Sequence, residues 1–110
     1  MKHSINENNG VFIASFEGDI DLEHSGKARS IFLDCISRGK GVVIDMSGVT
    51  MIDSSGVASL LEAFQKARKK GKAFVLADVA ETVMRVFKLA RLEKVFVIRD
   101  SVDEGVEIAS

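Results

Sequence analysis

One stretch of the chain, residues 42–61, joins an apolar run to a helical pattern through a short polar cluster, and this order constrains the fold most. The Val-Val-Ile run at residues 42–44 is typical of a buried strand. After the cluster Asp53-Ser54-Ser55-Gly56, apolar residues recur at positions 57, 60, 61 and 64, which is helical spacing. We predict a connection at residues 46–50 and a helix over residues 54–70. The polar cluster lies where that helix begins, and the free N–H groups of a helix start favour a carboxylate or a phosphate.

The remaining apolar patterns alternate between strands and helices. A polar segment at residues 2–7, the turn Asn8-Asn9-Gly10 and an apolar run at residues 11–16 predict a β-hairpin that breaks at residues 18–21. We predict helices over residues 23–38 and 81–89, strands at residues 73–77 and 95–98, and a short helix or tail at residues 102–109. The order β-β-α-β-α-β-α-β-(α) indicates an α/β fold with a mixed sheet, mostly parallel central strands and helices packed on the sheet.

The three longer helices are each predicted to bury one apolar face. Cys35 falls in such a pattern, so we interpret it as a core hydrophobe rather than a reactive thiol. Val57 and Ala58 lie so near the polar cluster that they can also face a partner. The residues expected inside are Ala28, Ile31, Phe32, Cys35 and Ile36, then Val57, Leu60, Leu61 and Phe64, then Val83, Val86, Phe87 and Ala90.

Composition indicates one domain over residues 1–110 and disfavours several function classes. Fifteen Lys and Arg against sixteen Asp and Glu leave a net charge of −1, which gives no general attraction to nucleic acid or anionic membranes. No apolar run approaches the ~20 residues of a membrane span, and the first ten residues lack the apolar core of a secretory leader. We therefore expect a cytoplasmic protein without a direct nucleic-acid or membrane partner.

The acidic and hydroxyl residues admit two interpretations when only their spacing is considered. Asp53, Ser54 and Ser55 can be simple N-cap residues, because Asp and Ser are the ordinary caps of helices. Alternatively, one serine of the pair is exposed and modified, with Ser55 the more structural of the two. Asp19 and Asp21 fit either turn and cap chemistry before a helix or a binding role.

No enzyme class is indicated by the residues. A hydrolase built on Ser54 would need a histidine base and a nucleophile elbow, but the chain has only His3 and His24 and no G-x-S-x-G motif. The phosphate-binding loop of NTPases is missing as well. Two carboxylates at positions 19 and 21 do not make a closed metal site. We expect no catalytic residue, no metal and no cofactor.

Several motifs together carry a family resemblance. In their order and spacing the whole chain resembles the STAS-domain anti-sigma factor antagonists of bacteria. The motifs are Gly18-Asp19-Ile20-Asp21, Val42-Val43-Ile44-Asp45, Met51-Ile52-Asp53-Ser54-Ser55-Gly56 and the ending Val83-Met84-Arg85-Val86-Phe87-Lys88-Leu89, followed by Leu92 and Val95-Phe96-Val97-Ile98.

The resemblance implies a phosphorylation switch rather than an enzyme. Unphosphorylated family members bind a kinase that sequesters a sigma factor, and so release the sigma factor. The kinase phosphorylates a serine of the motif with ATP and lets go, and a phosphatase resets the switch. By position, Ser54 is the implied acceptor, with Ser55 as second choice, and the free chain is expected to be a monomer. The implied partner-binding residues are Asp19, Asp21, Asp53, Ser54, Ser55, Gly56, Val57 and Ala58.

Two positions depart from the pattern of the family. Ala58 stands where glycine is frequent, which affects backbone packing in the second helical turn. Arg91 stands where glycine commonly precedes the final Leu92, which affects the local turn. The alternative function is a non-phosphorylated STAS scaffold or sensor module that binds a protein or a small ligand.

Overall fold

The computed structural model describes residues 1–110, and its five strands form one mixed sheet in the order β1-β2-β3-β4-β5. Strands β1 and β2 pair antiparallel, and every later pair is parallel. The predicted α/β class and the predicted element order are confirmed. The strands are β1 (Lys2–Asn8), β2 (Val11–Ile20), β3 (Gly41–Ile52), β4 (Ala73–Ala77) and β5 (Val97–Arg99), and the helices are α1 (Ser25–Arg38), α2 (Ser54–Lys69), α3 (Glu81–Leu89) and α4 (Val102–Ala109).

The two faces of the sheet are covered unequally. Helices α1, α2 and α3 pack on one face around a core of 21 buried residues that includes fully buried Phe32 and Phe87. The short helix α4 covers part of the other face, where only six buried residues cluster. This helix approaches the sheet closely, since a Cβ built on Gly41 would lie 2.5 Å from the Ala109 carbonyl oxygen. Most of the apolar burial therefore lies under helices α1, α2 and α3.

Strands β2 and β3 extend further than predicted, and both predicted boundaries were wrong. The segment 46–50, predicted as a connection, belongs to β3, where Met46 and Val49 are buried. The segment 18–21, predicted as a break, continues β2 to Ile20 through two register shifts against β3. These β-bulges interrupt the alternation of inward and outward residues, so the two-residue period that marks a strand is lost in the sequence.

Other boundaries and burial assignments differ by smaller amounts. Helix α1 begins at Ser25 instead of residue 23, because the Asp21 carbonyl accepts turn hydrogen bonds from the amides of residues 24 and 25. Helix α2 ends at residue 69 instead of 70. Strand β5 begins at residue 97 instead of 95, because the amides of residues 95 and 96 turn back to the Leu92 carbonyl. Ala90, expected inside, is exposed in the turn after α3, and Ile31 is only partly buried.

The turn at residues 8–10 and the burial of Cys35 are confirmed. Asn9 and Gly10 both have positive φ, as the predicted turn requires. Cys35 is fully buried, and its burial raises the pKa of the thiol. Arg91 adopts the left-handed conformation, φ 59°, that glycine usually supplies after a helix, so the turn expected there forms with a side chain in place. None of the four helices has the length and apolar character needed to span a membrane.

Candidate functional site

The predicted site residues meet at the carboxyl-terminal edge of the sheet, formed by the strand ends, where β2 and β3 end side by side. Ile20 and Ile52 are paired in the parallel ladder, and the amide of Asp53 donates to the Ile20 carbonyl at 3.3 Å. The loop from β2 into α1 and the start of α2 therefore lie next to each other. The carboxyl edge of parallel strands is the usual location of binding sites in α/β folds.

Asp53 is the N-cap of α2 and the centre of the hydrogen bonds at this edge. Its Oδ1 accepts from the amides of Ser55 and Gly56 at 3.0 and 3.1 Å and from the Ser55 hydroxyl at 2.6 Å. Its Oδ2 accepts from the amide of Leu22 at 3.0 Å, which ties the β2–α1 loop to the helix. The Ser55 hydroxyl, followed by the Gly56 amide, holds the pKa of the Asp53 carboxyl below its ordinary value. These hydrogen bonds therefore favour the ionised carboxylate form of Asp53.

Close packing at Gly56 fixes the first turn of α2 against the strand ends. A Cβ at this position would lie 2.5 Å from the Ile20 carbonyl oxygen and 2.6 Å from Ile52 Cγ1. One turn later, the buried Ser59 hydroxyl lies within hydrogen-bond distance of the Ser55 carbonyl, at 3.1 Å, and of the Ser25 carbonyl, at 3.3 Å. The starts of α1 and α2 are thereby held together, and the helix start is a rigid part of the fold.

The two adjacent serines have different environments. Ser55 is partly buried, and its hydroxyl is committed to Asp53. Ser54 is the first residue of α2, is exposed, and has no hydrogen bond from its hydroxyl to the rest of the chain. The N–H groups that the sequence suggests for a phosphate are partly used, because Asp53 already occupies those of residues 55 and 56. The expectation that free helix amides hold a phosphate here needs this correction.

Asp19 and Asp21 lie at the same edge, with their side chains in local hydrogen bonds. Asp19 Oδ1 accepts from the Thr50 hydroxyl at 2.7 Å, which links the ends of β2 and β3. Asp21 Oδ1 accepts from the amide of His24 at 3.2 Å and contacts its imidazole Nδ1 at 2.8 Å. Both carboxylates therefore have structural contacts, while Asp19 remains exposed and Asp21 half-buried.

Comparison with known proteins assigns this arrangement to a family, since the profile of the STAS domain matches residues 2–105. The chain belongs to the STAS domain family. It is 21% identical over 103 residues to an anti-sigma-B factor antagonist of Bacillus subtilis, covering 94% of each chain. It is 27% identical over 94 residues to an anti-sigma F factor antagonist of Paenibacillus polymyxa, covering 84% of this chain and 80% of the relative.

Solved structures of STAS proteins have the same fold. The crystal structure of an anti-sigma factor antagonist from Mycobacterium paratuberculosis superposes with a TM-score of 0.88 at 21% identity, covering 98% of this chain and 92% of the other. The phosphorylated form of the Bacillus cell fate determinant SpoIIAA superposes with a TM-score of 0.75 at 14% identity, covering 99% and 100%. At these identities the likeness concerns the fold of the chain.

Two exposed apolar side chains at this end of the sheet were missed by sequence reasoning. Leu22, in the loop held by Asp53, is 79% exposed, and Met51, at the end of β3, is 62% exposed. The sequence motif contains Met51 only as the residue that begins the segment leading into Asp53, and no pattern in the sequence marks Leu22. The bulges hid the register that turns Met51 outward, so no sequence period could have identified it. The edge therefore presents apolar surface as well as carboxylates.

One group of side chains near the start of α1 has the composition of a metal site. Asp21, Glu23 and His24 offer ligand atoms within 4.8 Å of one another. Asp21 and His24 already contact each other at 2.8 Å, which uses the Asp21 oxygen for a turn contact. The other two predicted partner-binding residues, on the first turns of α2, have different exposures. Val57 is half-buried against the core, and Ala58 is exposed.

Proposed function

We propose that this chain is an anti-sigma factor antagonist that binds an anti-sigma factor kinase when unphosphorylated and releases it when Ser54 is phosphorylated. The observation that carries the proposal is the free, exposed hydroxyl of Ser54 on a helix start whose next residue, Ser55, is held by the Asp53 cap. The names of the relatives support the antagonist role. SpoIIAA, which has the same fold at 14% identity, has a phosphorylated form, so this fold accommodates such a modification in that protein.

The proposed phosphoryl transfer needs little from this chain beyond presentation of the hydroxyl. The Ser54 Oγ attacks the γ-phosphorus of ATP, a new O–P bond forms, and the bond from that phosphorus to the ADP oxygen breaks. The hydroxyl proton passes to a base supplied by the kinase, and ADP leaves. Rigid presentation lowers the entropic cost of aligning such a reaction. Asp53 and Gly56 supply that rigidity here. A phosphatase would hydrolyse the Ser54 phosphate and reset the switch.

The unphosphorylated edge has the composition of a protein interface. Leu22, whose amide donates to Asp53, and Met51, which pairs with Asp19 in the ladder, supply exposed apolar surface, and Asp19 supplies an exposed charge. Interfaces gain most of their affinity from a few apolar anchors surrounded by polar groups. We assign the anchoring role to Leu22 and Met51 and a charge-complementary role to Asp19, Asp21 and Asp53.

The phosphate would act by making this interface repulsive. A phosphoserine carries about −1.5 to −2 charges at neutral pH. At residue 54 it would stand beside the Asp53 carboxylate, which already occupies two helix N–H groups. The basic end of α2 is too far to neutralise it, because Lys66 lies about 18 Å along the helix axis at a rise of 1.5 Å per residue. Burying an unpaired dianion costs several kcal/mol, and about 4 kcal/mol weakens binding roughly a thousandfold.

The test compares affinities for the anti-sigma factor that the unphosphorylated chain captures from its own cells, measured by isothermal titration calorimetry. We expect Ser54→Ala to bind like wild type and Ser54→Asp to bind at least ~100-fold more weakly, since about 3 kcal/mol is lost when one charge enters the interface. Ser30→Asp, which adds the same charge to the exposed surface of α1, is the matched control and should bind like wild type. Equal binding of all variants would favour the scaffold or sensor function, in which Ser54 is not a switch.

A further inference from the structure

Strand β1 is the outermost strand of the sheet, and its side away from β2 is an open lateral edge, distinct from the strand ends where Asp53 lies. It pairs with β2 on one side only, and all seven of its residues are exposed. A strand in this position offers unpaired N–H and C=O groups to another strand. We propose that β1 pairs antiparallel with β1 of a second copy of this chain, about a two-fold axis that passes through Ile5.

The hairpin turn determines which backbone groups face the open edge. Asn9 and Gly10 have φ of 54° and 84°, the two positive values of a type I′ turn. The pair that flanks such a turn, Asn8 and Val11, is hydrogen-bonded, and bonded and non-bonded pairs then alternate along the hairpin. The even-numbered residues of β1 therefore bond to β2. The backbone groups of His3, Ile5 and Glu7 point outward and are open.

The open groups fit a symmetric pairing centred on Ile5. In that register each open residue meets an open residue, so Ile5 pairs with Ile5 of the second copy and His3 pairs with Glu7 of the second copy. About six new backbone hydrogen bonds form, two for each bonded pair. A register moved by one residue would place open groups against groups already bonded to β2, and is excluded.

The side chains of β1 are complementary under this symmetry. The strand carries Lys2 and His3 at its start and Glu7 near its end. Antiparallel pairing about Ile5 places the imidazole of each copy opposite the carboxylate of the other, and opposite partners across strands are favourable. Symmetric registers moved by two residues pair Ile5 with His3 or with Glu7 and shorten the ladder. Charged residues on an edge strand normally prevent pairing, but here the charges match across the two-fold axis.

The pairing also covers apolar surface on the helix side of the sheet. Ile5 lies opposite the buried Ala14, so it projects to the face that holds the main core, and it is 37% exposed. The ring of His3 stacks at 6.2 Å on that of Phe16 on the same face. Because one strand pair buries little area, the dimer should be weak, so the chain is the expected monomer when dilute and pairs only at high concentration. Strand β2 separates this edge from β3 and α2, so the pairing goes beyond the proposed function and does not use Ser54.

Sedimentation velocity over a range of concentrations tests the pairing. We expect the wild-type chain to shift from monomer to dimer. His3→Glu should raise the dimer dissociation constant about tenfold or more, because it creates two like-charge pairs. Glu7→Lys should weaken the dimer similarly. The double variant His3→Glu with Glu7→Lys restores opposite charges and should dimerise more tightly than either single variant. Glu107→Lys on α4 is the matched charge control and should leave the dimer unchanged.

Ile5→Pro separates backbone pairing from charge. The amide of Ile5 faces the open edge, so proline removes a donor needed for the dimer without removing a bond to β2. We expect a folded monomer, with folding checked by circular dichroism. A wild-type chain that stays monomeric at millimolar concentration would overturn the proposal. It would also be overturned if wild type, Ile5→Pro and the single charge variants dimerised equally, because another surface would then be responsible.

Discussion

Helices α2 and α3 start at the same edge of the sheet, after neighbouring parallel strands, but their ends are built differently. Helix α2 has a side-chain cap from Asp53 and is followed, after Lys70, by Gly71 at φ 69°. Helix α3 has Ala80 at its N-cap with no side-chain hydrogen bond, and is followed, after Ala90, by Arg91 at φ 59°. After both helices an amide donates back five residues, at 2.9 Å after α2 and 2.8 Å after α3, so the end geometry is the same with different residues.

Helices α2 and α3 are therefore stabilised by different sets of contacts. Helix α3 is held mainly by tertiary packing through its fully buried residues Val83 and Phe87, and by the Thr82 hydroxyl, which donates to the Thr50 carbonyl at 3.0 Å. Helix α2 also has tertiary packing and a hydroxyl contact, from Ser59 to the Ser25 carbonyl, and in addition the Asp53 cap at its start and Gly71 after its end. The hydroxyl of Thr82 is used for structure, whereas that of Ser54 is left free. The rigid helix start is the one that presents an unused nucleophile.

The largest effect on the comparison should come from Gly56→Ala. The new Cβ would lie 2.5 Å from the Ile20 carbonyl oxygen, a distance that forces backbone movement. We expect a loss of about 3 kcal/mol in the free energy of unfolding. Urea unfolding measures it. The matched control is Gly26→Ala in α1, where a Cβ meets nothing within 4 Å and about 0.5–1 kcal/mol should be gained. Equal effects at the two positions would contradict the close packing described for α2.

A smaller effect is expected from Asp53→Asn, which separates the two contacts of the cap. The asparagine oxygen can still accept from the amides of Ser55 and Gly56, but its NH2 group faces the amide of Leu22. The β2–α1 loop should therefore loosen while α2 stays capped. Compared with wild type, hydrogen exchange in the variant should accelerate at the amide of residue 22 more than at the amides of residues 55 and 56. Equal loss of protection at all three amides would show that the two contacts are not separable.

The same variant gives a pH dependence whose sign follows from the lowered pKa of Asp53. A carboxyl with a pKa below its unfolded value of about 3.9 stabilises the fold above that pH, and this contribution disappears as the pH falls through the folded pKa. The stability difference between wild type and Asp53→Asn should be constant near neutrality and shrink below about pH 4. Unfolding curves at pH 7 and pH 3 measure it. A difference that grows in acid would contradict the assigned direction.

The helix ends can be exchanged to sharpen the comparison further. Arg91→Gly should stabilise the protein by about 0.5–1 kcal/mol, because a side chain in the left-handed conformation is strained. Gly71→Arg should destabilise it by a similar amount, since Gly71 has the same conformation with open space around it. Thermal unfolding of both variants measures the pair. Opposite signs are expected, and the same sign for both would exclude backbone strain as the cause.

The smallest effect is expected from supplying α3 with the cap that α2 already has. Ala80 has the extended backbone of an N-cap, φ −62° and ψ 151°, so serine can accept from the first-turn amides there. Ala80→Ser should add about 0.5–1 kcal/mol to the free energy of unfolding. Chemical denaturation of this variant beside wild type provides the measurement. No gain would mean that tertiary contacts already satisfy the start of α3.

The sequence predicted the element order and the polar helix start well, because each depends on local signals. The apolar run of β3 and the Asp53 cap each lie within a few residues of the strand or helix start that they specify. The extensions of β2 and β3 could not be predicted, because bulges at residues 15–19 break the strand period. The link from Asp53 to Leu22 spans 31 residues and depends on the tertiary fold, and so does the outward position of Met51.

The most direct test of the central claim is phosphorylation by the captured anti-sigma factor with ATP, followed by intact mass and site mapping of wild type, Ser54→Ala and Ser55→Ala. The account predicts one phosphoryl group on wild type and on Ser55→Ala and none on Ser54→Ala, because only the Ser54 hydroxyl is free of the Asp53 cap. A phosphoryl group that persists on Ser54→Ala and disappears from Ser55→Ala would contradict it. The capped serine would then be the acceptor, and the Asp53 hydrogen bond would have to open during the reaction.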